Sequence, residues 1–286
     1  MTQLKDLTTV DVITVSVDAS IDEAVRLFEQ HHVRHLPVLR DGKPVGMVTV
    51  GDVLKTVGGL LSDQRVSAQD ATVPYAGPTV VEQIMTTGIV SLSPDESIVE
   101  AARLMLERQI ATVILVLDGT ITGMVTEKDY LQQFFGESTV VPEACRQQPV
   151  ADHMATDVVT ASPSENVFAL MRDMGQQIHH LPVVEDGKLV GILSDHDVRR
   201  ALALNKIEQI IHPELQNRLI EEGFNAGGIM SKNVETTTPT ATLQSAARRL
   251  TEKEIGALPV LEGETLAGII TETDILRACV NVLEES

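Results

Sequence analysis

The sequence predicts an α/β fold made of four copies of one unit, and three observations predict it. One phrase occurs four times: Gly, two apolar residues, Ser or Thr, two variable residues, Asp. It runs Gly46–Asp52, Gly123–Asp129, Gly191–Asp197 and Gly268–Asp274. The aspartates are 77, 68 and 77 residues apart, so copies one and three are separated by 145 residues, as are copies two and four. A unit was duplicated and the pair was duplicated again. Around each phrase the same local signals return in the same order, and a fixed period of this kind marks a repeat architecture.

Each unit opens with a β-branched run suited to a strand: Val12–Val15, Ile89–Leu92, Val158–Ala161 and Val234–Thr237. A turn follows, with Pro94, Pro163 and Pro239 in three copies and Val17 in the first. Apolar residues then recur at helical spacing: Ile21, Ala24, Val25, Leu27 and Phe28 in the first copy, Ile98, Ala101, Ala102, Leu104 and Met105 in the second. Two strands come next, joined at Asp41-Gly42, Asp118-Gly119, Asp186-Gly187 and Glu262-Gly263, which are tight-turn signals. The recurrent phrase closes the second strand and opens a short helix. The unit is β-α-β-β-α, over residues 7–57, 84–135, 152–203 and 228–283. Residues 58–83 read as a loop with little regular structure, 136–151 as the joint between halves, and 198–228 as partly helical. The boundary falls near residue 145, giving modules 1–140 and 150–286.

Composition narrows the function. The 286 residues carry a net charge of −19, which repels phosphate backbones and anionic membrane, and 5 Phe, 2 Tyr and no Trp leave few rings for stacking on bases. Neither nucleic acid nor membrane is an expected partner. Cys145 and Cys279 show no ligand spacing and are too few for a disulfide framework. The start, Met1–Asp6, has no apolar signal core, and the apolar run Ile110–Leu117 is far too short to span a bilayer. A cytoplasmic protein is expected. No nucleophile elbow, phosphate-binding loop or paired-histidine zinc motif is present, so a non-enzyme is expected.

The four phrases stand in register with Leu36-Pro37-Val38, Leu181-Pro182-Val183 and Leu258-Pro259-Val260. On these residues the chain resembles the cystathionine-β-synthase (CBS) domain family, as four CBS motifs forming two Bateman modules. The resemblance implies sheets of paired motifs packed together with helices outside, in a disc formed within the chain or by homodimerisation. It also implies clefts that bind an adenosyl ligand such as AMP, ADP, ATP or S-adenosylmethionine, with no catalytic cofactor. Occupancy would regulate a partner protein, as yet unidentified. The other reading is a structural or adaptor protein with vestigial pockets.

The candidate site residues follow. A hydroxyl before a helix with an acid three residues on is a capping box, which gives Thr49, Thr126, Ser194 and Thr271 a structural role. Asp is short for reaching back to the cap, however, and all four copies use it. A carboxylate accepts two hydrogen bonds from a vicinal diol, so Asp52, Asp129, Asp197 and Asp274 suit a ribose, with helix N–H groups beside them for phosphate. The resemblance implies that Thr14, Ser91, Thr160 and Thr236 line an adenine pocket. It places His35, Pro37, Thr112, His180, Pro182, Ala257 and Pro259 against the base, although the second copy, Thr112-Val113-Ile114, lacks the Pro. Lys128 and His196 are the cations inside the phrases, with Arg199 and Arg200 just beyond. That ranks the third site first for an anionic ligand and the second next. The histidines His31, His32, His35, His179, His180 and His196 have no cysteine beside them, and no metal is expected.

Overall fold

The computed structural model describes residues 3–8, 11–63, 77–136, 141–174, 178–203 and 225–284. In the first motif β1 (Val15–Ser16) runs parallel to β2 (His35–Arg40), and β2 pairs antiparallel with β3 (Lys43–Thr49). Helix α1 (Ile21–His31) joins β1 to β2, and α2 (Val50–Asp63) follows β3. A two-residue strand, β4 (Thr86–Thr87), extends the sheet beside Gly46 and Met47. The second motif repeats the plan with β5 (Ser91–Leu92), α3 (Ile98–Arg108), β6 (Thr112–Leu117), β7 (Thr120–Thr126) and α4 (Glu127–Phe135). A short helix, α5 (Glu143–Arg146), lies between the halves. The third motif has α6 (Val167–Met174), β8 (His180–Glu185), β9 (Lys188–Ser194) and α7 (Asp195–Ala203). After the single turn α8 (Ala226–Ile229), the fourth has α9 (Leu243–Lys253), β10 (Ala257–Glu262), β11 (Thr265–Thr271) and α10 (Glu272–Glu284). The opening strands of motifs three and four shrink to single parallel bridges, Ala161 to Val183 and Thr237 to Val260.

Local chemistry accounts for these elements. Ser20, Ser97 and Thr242 cap α1, α3 and α9 through their hydroxyls. The same helices end on a left-handed residue, His32, Gln109 and Glu254. Asp41-Gly42, Asp118-Gly119 and Asp186-Gly187 have positive φ at both turn residues, the two-residue hairpin turn whose twist matches the strands. In the fourth motif Glu262 pairs with Thr265, so the turn is Gly263-Glu264, one residue later than the dipeptide suggests, and of the two only Gly263 has positive φ. The helix after the first phrase continues to Asp63, into the stretch read as loop; residues 64–76 of that stretch, and most of 198–228, lie outside the described residues.

The motifs pack as two compact units. One holds motifs one and three (Ile13–Gly88 with Val159–Val234), the other motifs two and four (Met1–Val12, Ile89–Val158 and Glu235–Ser286). Each has its own aliphatic core. Within the first unit α2 lies against α6 and α1 against α7; within the second α10 lies against α3 and α4. The helices are therefore not simply outside. Their apolar stripes are wider than their own sheets cover, and the partner motif buries the rest.

Each motif is completed by a segment that belongs in sequence to another. The turn Leu4–Asp6 precedes motif one but docks on motif two, with Leu4 N–H donating to Glu96 O (3.0 Å). The turn Val81–Gln83 precedes motif two and docks on motif one, Val81 N–H to Ala19 O (2.9 Å). Likewise Val150 N–H reaches Ala241 O of motif four (2.8 Å), and Ala226 N–H reaches Glu165 O of motif three (2.9 Å). Leu4, Val81, Val150 and Ala226 are all 0% exposed, so each exchanged segment plants an apolar anchor in the core it completes. Four residues after three of these anchors comes a methionine that crosses the glycine of the recurrent phrase: Met85 over Gly46, Met154 over Gly268 and Met230 over Gly191. These glycines are required by close approach rather than by backbone conformation.

Candidate functional site

The register sorts each motif into two faces. In motif one Val15, Leu36, Val38 and Val48 point into the core. Thr14, His35, Pro37, Met47 and Thr49 alternate with them and share the other face, because side chains reverse at every strand residue. The same register gives Ser91, Thr112, Ile114 and Thr126 in motif two, Thr160, His180, Pro182 and Ser194 in motif three, and Thr236, Ala257, Pro259 and Thr271 in motif four. The sequence-predicted residues of each motif are thus brought together on one surface. Ser91 and Thr160 are exposed, and Thr14 and Thr236 are half-buried. Thr112 differs: it is buried, and its hydroxyl donates to Val125 O (3.0 Å), so it is spent inside the sheet. Ile114 differs too. Its N–H donates to Val90 O (3.4 Å), a bond that Pro37, Pro182 and Pro259 have no N–H to make.

The phrase forms the rim of this surface. Asp52 Oδ2 accepts from Thr49 N–H (2.8 Å) and from the Thr49 hydroxyl (2.7 Å). Asp129 does the same with Thr126 (2.7 and 2.7 Å), Asp197 with Ser194 (2.8 and 2.6 Å) and Asp274 with Thr271 (2.9 and 2.7 Å). Short as it is, Asp does reach back to the cap, which corrects the expectation drawn from side-chain length. The strand-to-helix step is tight enough for one methylene. Capping consumes only Oδ2, however. Among the described residues nothing donates to Oδ1 of Asp52 or Asp129, whereas Asp197 Oδ1 accepts from the Ser231 hydroxyl (3.2 Å) and Asp274 Oδ1 from Arg277 (3.2 Å). Burial raises the pKa of Asp52 and Asp129 above the ordinary carboxylate value, outweighing the hydrogen bonds from Thr49 and Thr126 that lower it.

Charge is distributed differently from the sequence ranking. Lys128 is paired with Glu254 (3.3 Å), and His196 is exposed. Arg200 is also exposed, and the Arg199 side chain lies outside what is described. A charged cluster joins motifs one and three. Asp195, 5% exposed at its side chain, holds Arg34 Nη2 at 2.8 Å and has His179 Nδ1 at 3.8 Å. Burial pushes His35 and His180 down to about 3, with Arg34 adding to the effect, and also lowers His179. The two strand histidines, partly open to solvent but densely surrounded, are neutral at pH 7. Sequence reasoning missed Arg34 and Ser231; the available signal for Arg34 was positional, since it immediately precedes His35-Leu36-Pro37. Among the described residues no group of three or more His, Cys, Asp or Glu is placed to hold a metal ion, and no helix is long and apolar enough to cross a membrane.

Comparison with known proteins agrees with this geometry. The CBS domain model matches residues 4–59, 81–136, 150–204 and 226–281, and each match takes in the docking segment that precedes its motif in sequence. The protein MJ1225 of Methanocaldococcus jannaschii is 27% identical over 276 residues, covering 93% of this chain and 94% of its own. Its crystal structure, presented as that of a proposed archaeal homologue of γ-AMPK, superposes with a TM-score of 0.80 at 25% identity, over 96% of this chain and 99% of that one. The CBS domain-containing protein YhcV of Bacillus subtilis is 33% identical over 128 residues, 44% of this chain and 85% of its own. With the family model matched along most of the sequence and the repeat visible in the fold, the chain belongs to the CBS domain family.

Proposed function

We propose that the protein is a regulatory, ligand-sensing module that binds adenosine-containing molecules on the faces built from these motifs and signals occupancy to a partner protein. AMP, ADP, ATP and S-adenosylmethionine are the candidates that the family implies. The observation that carries the reading is the divided carboxylate of the phrase. One oxygen is consumed by the helix cap, and among the described residues nothing donates to the second in Asp52 and Asp129. A fixed acceptor beside a face that carries Thr14, His35, Pro37 and Met47 suits a ribose diol with a base lying against Pro37 and Met47. The likeness to the proposed γ-AMPK homologue supports a regulatory role. The reciprocal segments support modules 1–140 and 150–286, because motif one exchanges with two and motif three with four. Homodimerisation and a cytoplasmic location belong to the same proposal.

A thermal-shift panel of AMP, ADP, ATP, S-adenosylmethionine and NAD tests it. Binding to the folded state alone adds about 2.7 kcal/mol at 100 times Kd. At least one adenosyl compound is expected to raise the melting temperature in the millimolar range or below. No shift with any of them would favour an adaptor with vestigial pockets.

A further inference from the structure

We propose that Asp195 is a built-in counter-ion that makes motifs one and three selective for an adenosyl ligand without phosphate. The inference rests on the adenosine-binding reading and refines it. In every motif the first residue of the phrase helix donates its N–H to the carbonyl of the residue before the second strand: Val50 to Arg34, Glu127 to Ala111, Asp195 to His179 and Glu272 to Gly256 (3.1–3.2 Å). These eight residues are therefore structural equivalents. A cation faces an acid across two motifs at Arg34 and Asp195, and the corresponding residues of motifs two and four are Ala111, Gly256, Glu127 and Glu272, with no cation among them.

Arg34 precedes His35 on the candidate base-binding strand, and Asp195 lies between Ser194 and Asp197 of the candidate ribose step. A ligand held there by base and ribose would present its 5′ end to this cluster. Arg34, His35, His179, His180 and Asp195 lie close together there. His35 and His180 are kept neutral by burial, so Arg34 is the permanent cation of the five, and a buried carboxylate already sits 2.8 Å from it. Asp195 offsets the charge of Arg34 without a ligand. An incoming phosphate would meet Asp195 at short range and would have to displace it from Arg34. A neutral 5′ group meets no such barrier. The sequence alone ranks the third site first for an anion; the ion pair argues the reverse.

Calorimetry on the full chain with adenosine and AMP, and melting curves with pyrophosphate, test the proposal in the parent, Asp195→Asn and Arg34→Gln. In the parent, AMP is expected to bind no more than about threefold tighter than adenosine, and pyrophosphate to stabilise no more than chloride at equal ionic strength. In Asp195→Asn the unmasked guanidinium is expected to tighten AMP about tenfold, the scale of a hydrogen bond to a charged group, with adenosine unchanged. Pyrophosphate should then raise the melting temperature. An Asp195→Asn protein that treats AMP and pyrophosphate as the parent does would overturn the proposal. If that variant does not fold, Arg34→Gln decides: pyrophosphate stabilising the parent but not Arg34→Gln overturns it, and no stabilisation of either supports it. Absence of binding by both adenosine and AMP would sink the adenosine reading, while the pyrophosphate comparison would still judge the role of Asp195.

Discussion

Alanine at two glycines of the recurrent phrase should cost very different amounts, and the difference is set by what crosses them. A Cβ on Gly191 would overlap Met230 Sδ and lie 2.8 Å from Met230 Cγ; the three nearest atoms all belong to that one side chain. A Cβ on Gly268 would lie 2.7 Å from the carbonyl oxygen of Ala155 as well as 2.8 Å from Met154 Sδ. That carbonyl is pinned, because Ala155 and Ile269 exchange both backbone hydrogen bonds at 2.9 Å. Comfortable carbon contacts are about 3.5–4.0 Å. A methionine can rotate away, and a paired backbone cannot. Overpacking typically costs about 1–3 kcal/mol, so Gly191→Ala is expected near the bottom of that range and Gly268→Ala at or above its top. At about 2–4 °C per kcal/mol for a chain of this order of size, Gly268→Ala should melt at least about 6 °C lower. Gly51→Ala is the control. It stands in a helix with its nearest neighbour at 3.5 Å, so alanine there should be neutral or stabilising. Adding Met230→Ala should relieve most of the Gly191→Ala strain in a double-mutant cycle, whereas Met154→Ala should relieve only part at Gly268. Urea denaturation monitored by circular dichroism provides the readings. If both alanine variants stay within about 0.5 kcal/mol of the parent, the exchanged segments do not cross the phrase glycines and the packing account is wrong.

Acid should destabilise the protein from pH 6.5 downward. His35 and His180 have folded pKa values near 3, below the unfolded 6.5, so the unfolded chain takes up protons first and stability is lost as pH falls through that interval. Two such groups give a limiting slope of about 2.7 kcal/mol per pH unit, of which about half is expected because both rings touch solvent. Urea midpoints at pH 7.5, 6.5 and 5.5 should fall progressively, and His35→Asn/His180→Asn should flatten the trend; equal slopes in the two proteins would contradict it. The thiols should be unreactive in the native state. Cys145 and Cys279 are both 0% exposed, and the hydrogen bond with Cys145, together with burial, pushes the Cys279 thiol up. Labelling by a thiol reagent should therefore follow global unfolding, and fast native-state labelling would show that this core opens locally.

The repeat made most of the fold legible. Hairpin positions, helix stripes and the capping step are local chemistry, and the structure places them where spacing and turn residues put them, except that the fourth hairpin turns one residue later, at Gly263-Glu264. The face shared by Thr14, His35, Pro37 and Thr49 was also readable, since strand alternation fixes it once the register is known. The exchanged segments were not readable by eye, although Val81-Glu82-Gln83-Ile84-Met85 and Val150-Ala151-Asp152-His153-Met154 do share an apolar anchor and a methionine four residues on. Nothing local says which motif such an anchor fills; that is decided by where a hole remains. The phrase glycines suffered the same way, because their reason lies in a methionine 39 residues away for both Gly46 and Gly191. Charge was misjudged for a similar cause. Lys128 reads as a free cation until Glu254 is beside it, and Arg34 carries no message until Asp195 of another motif is found at 2.8 Å.

The central claim is that the second oxygen of the phrase carboxylate grips a ribose diol. Isothermal titration of the full chain with adenosine and with 2′,3′-dideoxyadenosine tests it most directly, because the two ligands differ only in the hydroxyls concerned. Hydrogen bonds to a charged acceptor contribute about 1.5–3 kcal/mol each, so removing both hydroxyls should weaken binding at least about tenfold, and Asp52→Asn should weaken adenosine without further harming the dideoxy compound. Equal affinity for the two nucleosides, with Asp52→Asn lowering only the stability of the free protein, would mean that the carboxylates cap helices and nothing more.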